Sequence, residues 1–132
     1  MRVSVGMSDV VLRLGPGITL RKAASEMVDK GIGSAIIEAE GWPVPRIITE
    51  RDILRAVGSG LDPDSEQVGD HMSESVITAS PEWSMERAAM EMSKRRIRHL
   101  VVYRDGELVG VLSMRDIMEA WTADGATSGG PP

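Results

Sequence analysis

Two tetrapeptides hold the chain's best-placed polar chemistry: Thr49-Glu-Arg-Asp52 and Ser113-Met-Arg-Asp116. Each sets a hydroxyl three residues ahead of a carboxylate, follows a short β-branched apolar run, and leads straight into another apolar run. That pattern is a strand feeding a helix. Two chemistries fit it. Hydroxyl and carboxylate can each meet an orphan N–H of the first helical turn and form a capping box. A helix N-terminus directly after a strand can also receive a small polar ligand. The hydroxyl then contacts a ribose or phosphate, and the carboxylate accepts two hydrogen bonds from a ribose diol. Arg51 and Arg115, each one residue before its aspartate, could add phosphate-binding charge.

The two motifs belong to a repeat. Met7, Val11, Pro16, Ala23, Met27, Ile32 and Ile36 recur 65 positions later as Met72, Val76, Pro81, Ala88, Met92, Ile97 and Val101. The intervening loop is one residue longer in the first copy, so the later offset is 64, matching Thr49 to Ser113 and Asp52 to Asp116. A copy this short buries little alone, and two copies sharing a core are the economical solution.

Each copy reads β-α-β-β-α. In the first, Thr19 caps a helix over 20–30 with Leu20, Ala23, Ala24, Met27 and Val28 on its apolar face, followed by strands 32–37 and 46–48 and a helix 50–57. In the second, Ser80 caps a helix over 82–94, strands 99–103 and 107–112 flank the tight turn Arg104-Asp-Gly106, and a helix covers 114–121. The expected division is 1–60 for the first repeat with its lead-in, 61–67 for a linker, and 68–121 for the second repeat. A disordered tail is expected over 122–132. Within residues 1–18, Val3-Ser-Val5 and Val10-Val-Leu12 suggest an element that crosses to pair with something distant.

The second copy also carries a basic run, Lys94-Arg95-Arg96 with Arg98, where the first has Asp29-Lys-Gly-Ile-Gly33. Cations at a helix end are ordinary, since they favour the negative end of the dipole. Alternatively Arg96 and Arg98, with Arg51 and Arg115, supply phosphate-binding charge, and the copies then differ in phosphate affinity. Nucleic-acid binding through Arg95–Arg98 is a further reading, opposed by the net charge of -5 from twenty acidic and fifteen basic residues.

His99 reads as a packed or ligand-lining residue. With His71 the only other histidine and no cysteine, the sequence offers too few ligands for a zinc site. No nucleophile elbow, GxxxxGK[ST] or GxGxxG is present, so an enzyme is not expected. The N-terminal stretch lacks the apolar core of a signal peptide and no run approaches a membrane span, which leads to a cytoplasmic expectation.

The order β-α-β-β-α, the patterns Gly31-Ile-Gly-Ser-Ala-Ile-Ile37 and Arg98-His-Leu-Val-Val102, and the paired endings Ile-Ile-Thr-Glu-Arg-Asp52 and Val-Leu-Ser-Met-Arg-Asp116 resemble a tandem pair of cystathionine-β-synthase-type (CBS) domains, a Bateman module. The resemblance covers about residues 5–121 and is closer in the second copy. There Gly110-Val-Leu-Ser-Met-Arg-Asp-Ile117 fits the family motif, whereas Arg46 stands at the motif glycine in the first.

The resemblance implies an α/β fold of two repeats related by a pseudo-two-fold axis, with an adenine ligand (AMP, ADP, ATP or S-adenosylmethionine) in one or both inter-repeat clefts. It places Asp52 and Asp116 on ribose hydroxyls and Thr49 and Ser113 on ribose or phosphate. The backbone around Ile32–Ser34 and Ile97–His99 lines the adenine pockets, with Ile32 and Ile97 touching the base. It further implies a regulatory homodimer packed through its helices, with no required cofactor and an output through a separate protein or through assembly. The rival reading is a ligand-free interaction module in which the motifs only cap helices.

Overall fold

The computed structural model describes residues 1–123. In chain order its elements are α1 (Val3–Gly6), β1 (Arg13–Leu14), α2 (Leu20–Lys30), β2 (Ser34–Ile37), β3 (Arg46–Thr49), α3 (Glu50–Gly58), β4 (Thr78–Ala79), α4 (Met85–Arg95), β5 (His99–Arg104), β6 (Glu107–Ser113) and α5 (Met114–Ala123). A single 3-10 turn at Val68–Asp70 precedes β4. The expected β-α-β-β-α order is present twice. Thr122 and Ala123 continue α5 rather than opening a tail. The disorder expected over 124–132 lies outside the described residues.

Each repeat forms a three-stranded sheet of the same design. β2 pairs parallel with β1 and antiparallel with β3, while β5 pairs parallel with β4 and antiparallel with β6. Ser34, Ala35, Ile36 and Ile37 are all buried, which a central strand of mostly apolar residues requires. The first strand begins at Ser34 instead of Ile32 because the two preceding residues serve the helices. Ile32 N–H donates to Met27 O at 3.0 Å beyond the end of α2, and Gly33 O accepts from Glu50 N–H at 2.9 Å.

The helices follow their local signals with two corrections. Thr19 caps α2, its hydroxyl accepting from Lys22 N–H, and Gly31 closes it at φ 64°. Leu20, Ala23 and Met27 are buried, but Val28 is 79% exposed and leaves the expected apolar face. In the second repeat the cap is Ser84, not Ser80: Ser84 Oγ accepts from Arg87 N–H at 3.1 Å. The Ser80 hydroxyl is spent earlier, on Glu82 N–H at 3.2 Å, in the turn that leads into the helix. Trp83 therefore precedes α4 and lies under the Arg87 guanidinium, 3.8 Å from its ring centre.

The compact units do not follow the repeat boundaries. One comprises Val11–Val76; the other joins Met1–Val10 to the described residues from Ile77 to Ala123. Each core is thus completed by residues that precede the other repeat. Val3, fully buried, packs with Met85, Met92, Leu100 and Leu112, while the matched Val68, also fully buried, packs with Leu20, Ala23 and Ile48. Ser8 exchanges backbone hydrogen bonds with Val111 at 2.9 and 3.0 Å, and the matched Ser73 does so with Ile47 at 2.8 and 3.3 Å.

This crossing explains Gly110. A Cβ at that position would lie 2.6 Å from the Ser8 carbonyl oxygen. Arg46, its counterpart, instead projects to Glu74 at 3.4 Å and over the Trp42 ring at 4.3 Å. Gly110→Ala must displace backbone and is expected to cost about 1–3 kcal/mol. Urea denaturation checks this, and an unchanged transition would mean that the Ser8 crossing is not held tightly.

Candidate functional site

In each unit the last sheet strand runs into its helix without a loop, and the capping box forms at that joint. Thr49 Oγ1 accepts from Asp52 N–H at 3.4 Å, while Asp52 Oδ2 accepts from Thr49 N–H at 2.8 Å and from the Thr49 hydroxyl at 3.1 Å. At the second joint Ser113 Oγ accepts from Asp116 N–H at 3.0 Å and Asp116 Oδ2 from Ser113 N–H at 2.8 Å. Both aspartates are half-buried. The boxes engage Oδ2 of each carboxylate, so a charged group is held in one orientation with its Oδ1 outside the cap.

A further hydrogen bond brings the turn before each central strand onto the same helix start. Glu50 N–H donates to Gly33 O and Met114 N–H to Arg98 O, both at 2.9 Å. The sheet register completes the gathering, with Ser34 opposite Thr49 and His99 opposite Ser113. Within the first repeat's unit the structure therefore brings together Ile32, Ser34, Thr49 and Asp52. Within the second repeat's unit it brings together Ile97, His99, Ser113 and Asp116. Ile32 and Ile97 are half-buried against their respective cores, which gives each helix start an apolar neighbour.

The arginines are placed differently. Arg51, Arg96, Arg98 and Arg115 are all exposed. Arg115 lies within 4.0 Å of Glu119 on the same helix face. Arg95, the first arginine of the basic run, pairs with Glu91 at 2.9 Å. Arg96 takes the left-handed backbone conformation at φ 56° where the first repeat has Gly31 at φ 64°. A residue with a Cβ costs roughly 1–2 kcal/mol there. His71 sits away from either helix start in the sequence pattern and bonds Glu66 at 2.8 Å.

One charged residue at these joints is not among the expected site residues. Glu50 lies over Gly33, where a Cβ would meet its carboxyl carbon at 3.1 Å. Its counterpart in the second repeat is Met114, and that mismatch in an otherwise matched motif was visible in the sequence.

Comparison with known proteins gives the following likenesses. The family model described as CBS domain matches residues 3–59 and again 68–123. The uncharacterized protein MK0525 of Methanopyrus kandleri is 35% identical over 111 residues, covering 83% of this chain and 57% of that protein. The mitochondrial CBS domain-containing protein CBSX3 of Arabidopsis thaliana is 35% identical over 107 residues, covering 77% of this chain and 52% of its own length. The chain thus spans about half the length of these two curated relatives. Among solved structures, the CBS domain protein PAE2072 of Pyrobaculum aerophilum, complexed with AMP, is 33% identical with a TM-score of 0.77. That match covers 93% of this chain and 99% of the other.

The boxes have a measurable structural share. Ser113→Ala removes the acceptor for Asp116 N–H and should cost about 1 kcal/mol of stability. Asp116→Asn keeps an amide oxygen for Ser113 N–H and should cost less than Asp116→Ala. Thermal or urea denaturation of the three variants checks the order, and equal losses for Asn and Ala would show that this oxygen contributes little.

Proposed function

The chain belongs to the CBS-domain family, with two copies of the domain, and on that premise we propose that it is a regulatory module that binds an adenine nucleotide. The observation that carries the reading is the held carboxylate. Asp52 and Asp116 each commit Oδ2 to the cap, and Oδ1 is then the acceptor for ribose hydroxyls. Thr49 and Ser113 contact ribose or phosphate. The turns at Ile32–Ser34 and Ile97–His99 line the base, with Ile32 and Ile97 against it. Arg51, Arg96, Arg98 and Arg115 supply cationic charge for a phosphate. The AMP complex of the Pyrobaculum protein, matched over nearly its whole length, supports the ligand class.

A bound ligand regulates only through its differential affinity for two states. The output here is a separate protein partner or the chain's own assembly. For assembly, the helices offer apolar residues at matched places: Leu54 and Met118 are 71% and 49% exposed, and Val57 and Trp121 are 48% and 59% exposed. An open groove of about 530 Å³ lies beside Val57, lined also by Leu20, Ala24, Val28, Ile53 and Pro63. These surfaces support a homodimer packed through helices. Among the described residues no helix is long and apolar enough to cross a membrane.

Calorimetric titration of ligand-stripped protein with AMP, ADP, ATP and S-adenosylmethionine tests the binding. Saturable heat with at least one ligand is expected, and it should vanish in the double variant Asp52→Asn/Asp116→Asn while the fold persists. Silence with all four ligands would replace this reading with that of an interaction module whose motifs serve as caps. Assembly is tested by sedimentation of Leu54→Glu and Trp121→Glu. Each should shift a dimer toward monomer, and a wild-type protein that sediments as a monomer would refute the dimer.

A further inference from the structure

The hydrogen-bonded pair at each helix start carries an anion in the first repeat and a cation in the second, and we infer that this pair sorts ligands by phosphate. On this inference the second repeat's helix start takes the phosphorylated nucleotide, and Glu50 bars it from the first. The inference rests on the adenine-binding reading above and adds which copy binds which chemical class.

The positions are those joined by the hydrogen bond from the helix start to the turn. In the first repeat they are Glu50 and Gly33, and in the second Met114 and Arg98, with the same 2.9 Å separation. The Glu50 side chain folds back over the turn: a Cβ on Gly33 would lie 3.2 Å from either carboxylate oxygen. An anion therefore stands in the first repeat beside the position where the second carries a cation.

The neighbouring charges reinforce the difference. The first turn of α3 holds two carboxylates, Glu50 and Asp52, while that of α5 holds Asp116 alone. A helix N-terminus attracts anions through its dipole and orphan donors, and a second carboxylate there offsets that attraction. The preceding turns differ in the same sense, Asp29-Lys30-Gly31 against Lys94-Arg95-Arg96. Arg95 is engaged by Glu91, and Lys94, Arg96 and Arg98 are the distinguishing cations. Arg51 and Arg115 occupy matched places and cancel from the comparison.

A 5′-phosphate on a ribose held by Asp52 falls within a few ångströms of the same helical turn. Repulsion between Glu50 and a doubly charged phosphate at such a distance, in a largely aqueous setting, weakens binding about tenfold. A ligand with the same adenosine body and no phosphate escapes this repulsion.

The test uses the full chain and two probes, AMP and adenosine, followed by calorimetry. Wild type should bind one equivalent of AMP tightly, and Asp116→Asn should lose that event. In the Asp116→Asn background, adding Glu50→Gln should raise AMP affinity about tenfold relative to adenosine. Circular dichroism melts confirm folding of each variant. Two equal AMP sites in wild type, or AMP and adenosine responding equally to Glu50→Gln, overturn the sorting and leave the adenine reading standing. No heat with either probe in wild type overturns the sorting, and the adenine reading then rests on the titrations with ADP, ATP and S-adenosylmethionine.

Discussion

The joint between strand and helix is the constraint on which the rest depends. At each joint the chain turns from β to α with no intervening residue, so the first-turn N–H groups have no helical partner. They are met by the box of Thr49 with Asp52 or Ser113 with Asp116, and by the carbonyl of Gly33 or Arg98. A helix end that left such donors buried and unpaired would lose a kilocalorie per mole or more for each. The same bonds tie three segments distant in sequence (the turn after the first helix, the last strand and the last helix) into one local unit.

The exchange of leading segments answers a second constraint, that of size. Two three-stranded sheets with two helices each enclose little volume, and each core is finished by a valine from before the other repeat, Val3 or Val68. The crossing segments also bond the outer edge of β3 and β6 through Ser73 and Ser8. An edge strand with open N–H and C=O groups invites pairing with other chains, and covering it removes that hazard. Gly110 records the closeness of one crossing, and Arg46 shows that the other is looser on that side.

Much of this was legible in the sequence because the repeat supplies each residue with a counterpart. The offsets of 65 and then 64 matched Thr49 to Ser113 and Asp52 to Asp116, and those pairs share cap geometry. Where sequence and structure differ, a local signal competes with the one that the counterpart gives. Ser80 beside Pro81 looks like a helix start, yet the partner of Thr19 is Ser84, which is the cap. Val28 fits the apolar spacing of α2, but the stripe is narrower and stops at Leu20, Ala23 and Met27. Glu50 is visible in the sequence only as a mismatch with Met114, and its position over the turn is not. Its carboxylate lies over Gly33 only because a tertiary hydrogen bond brings the two together, and no local pattern encodes that approach.

A cap and a ligand contact are not competing roles for one aspartate. A free carboxylate on a surface must lose rotamer freedom before it can receive a ribose diol, and that ordering counts against binding. In the capping box the ordering is complete before any ligand arrives, because backbone N–H groups hold Oδ2. The structural role thus lowers the cost of the binding role. The arginines are exposed, Arg51, Arg96, Arg98 and Arg115 alike, and none belongs to a capping box. Their contribution is therefore one of charge rather than of geometry. Position is set by the aspartates and the apolar turn, and discrimination between phosphorylated and unphosphorylated ligands falls to the side chains whose charge differs between repeats.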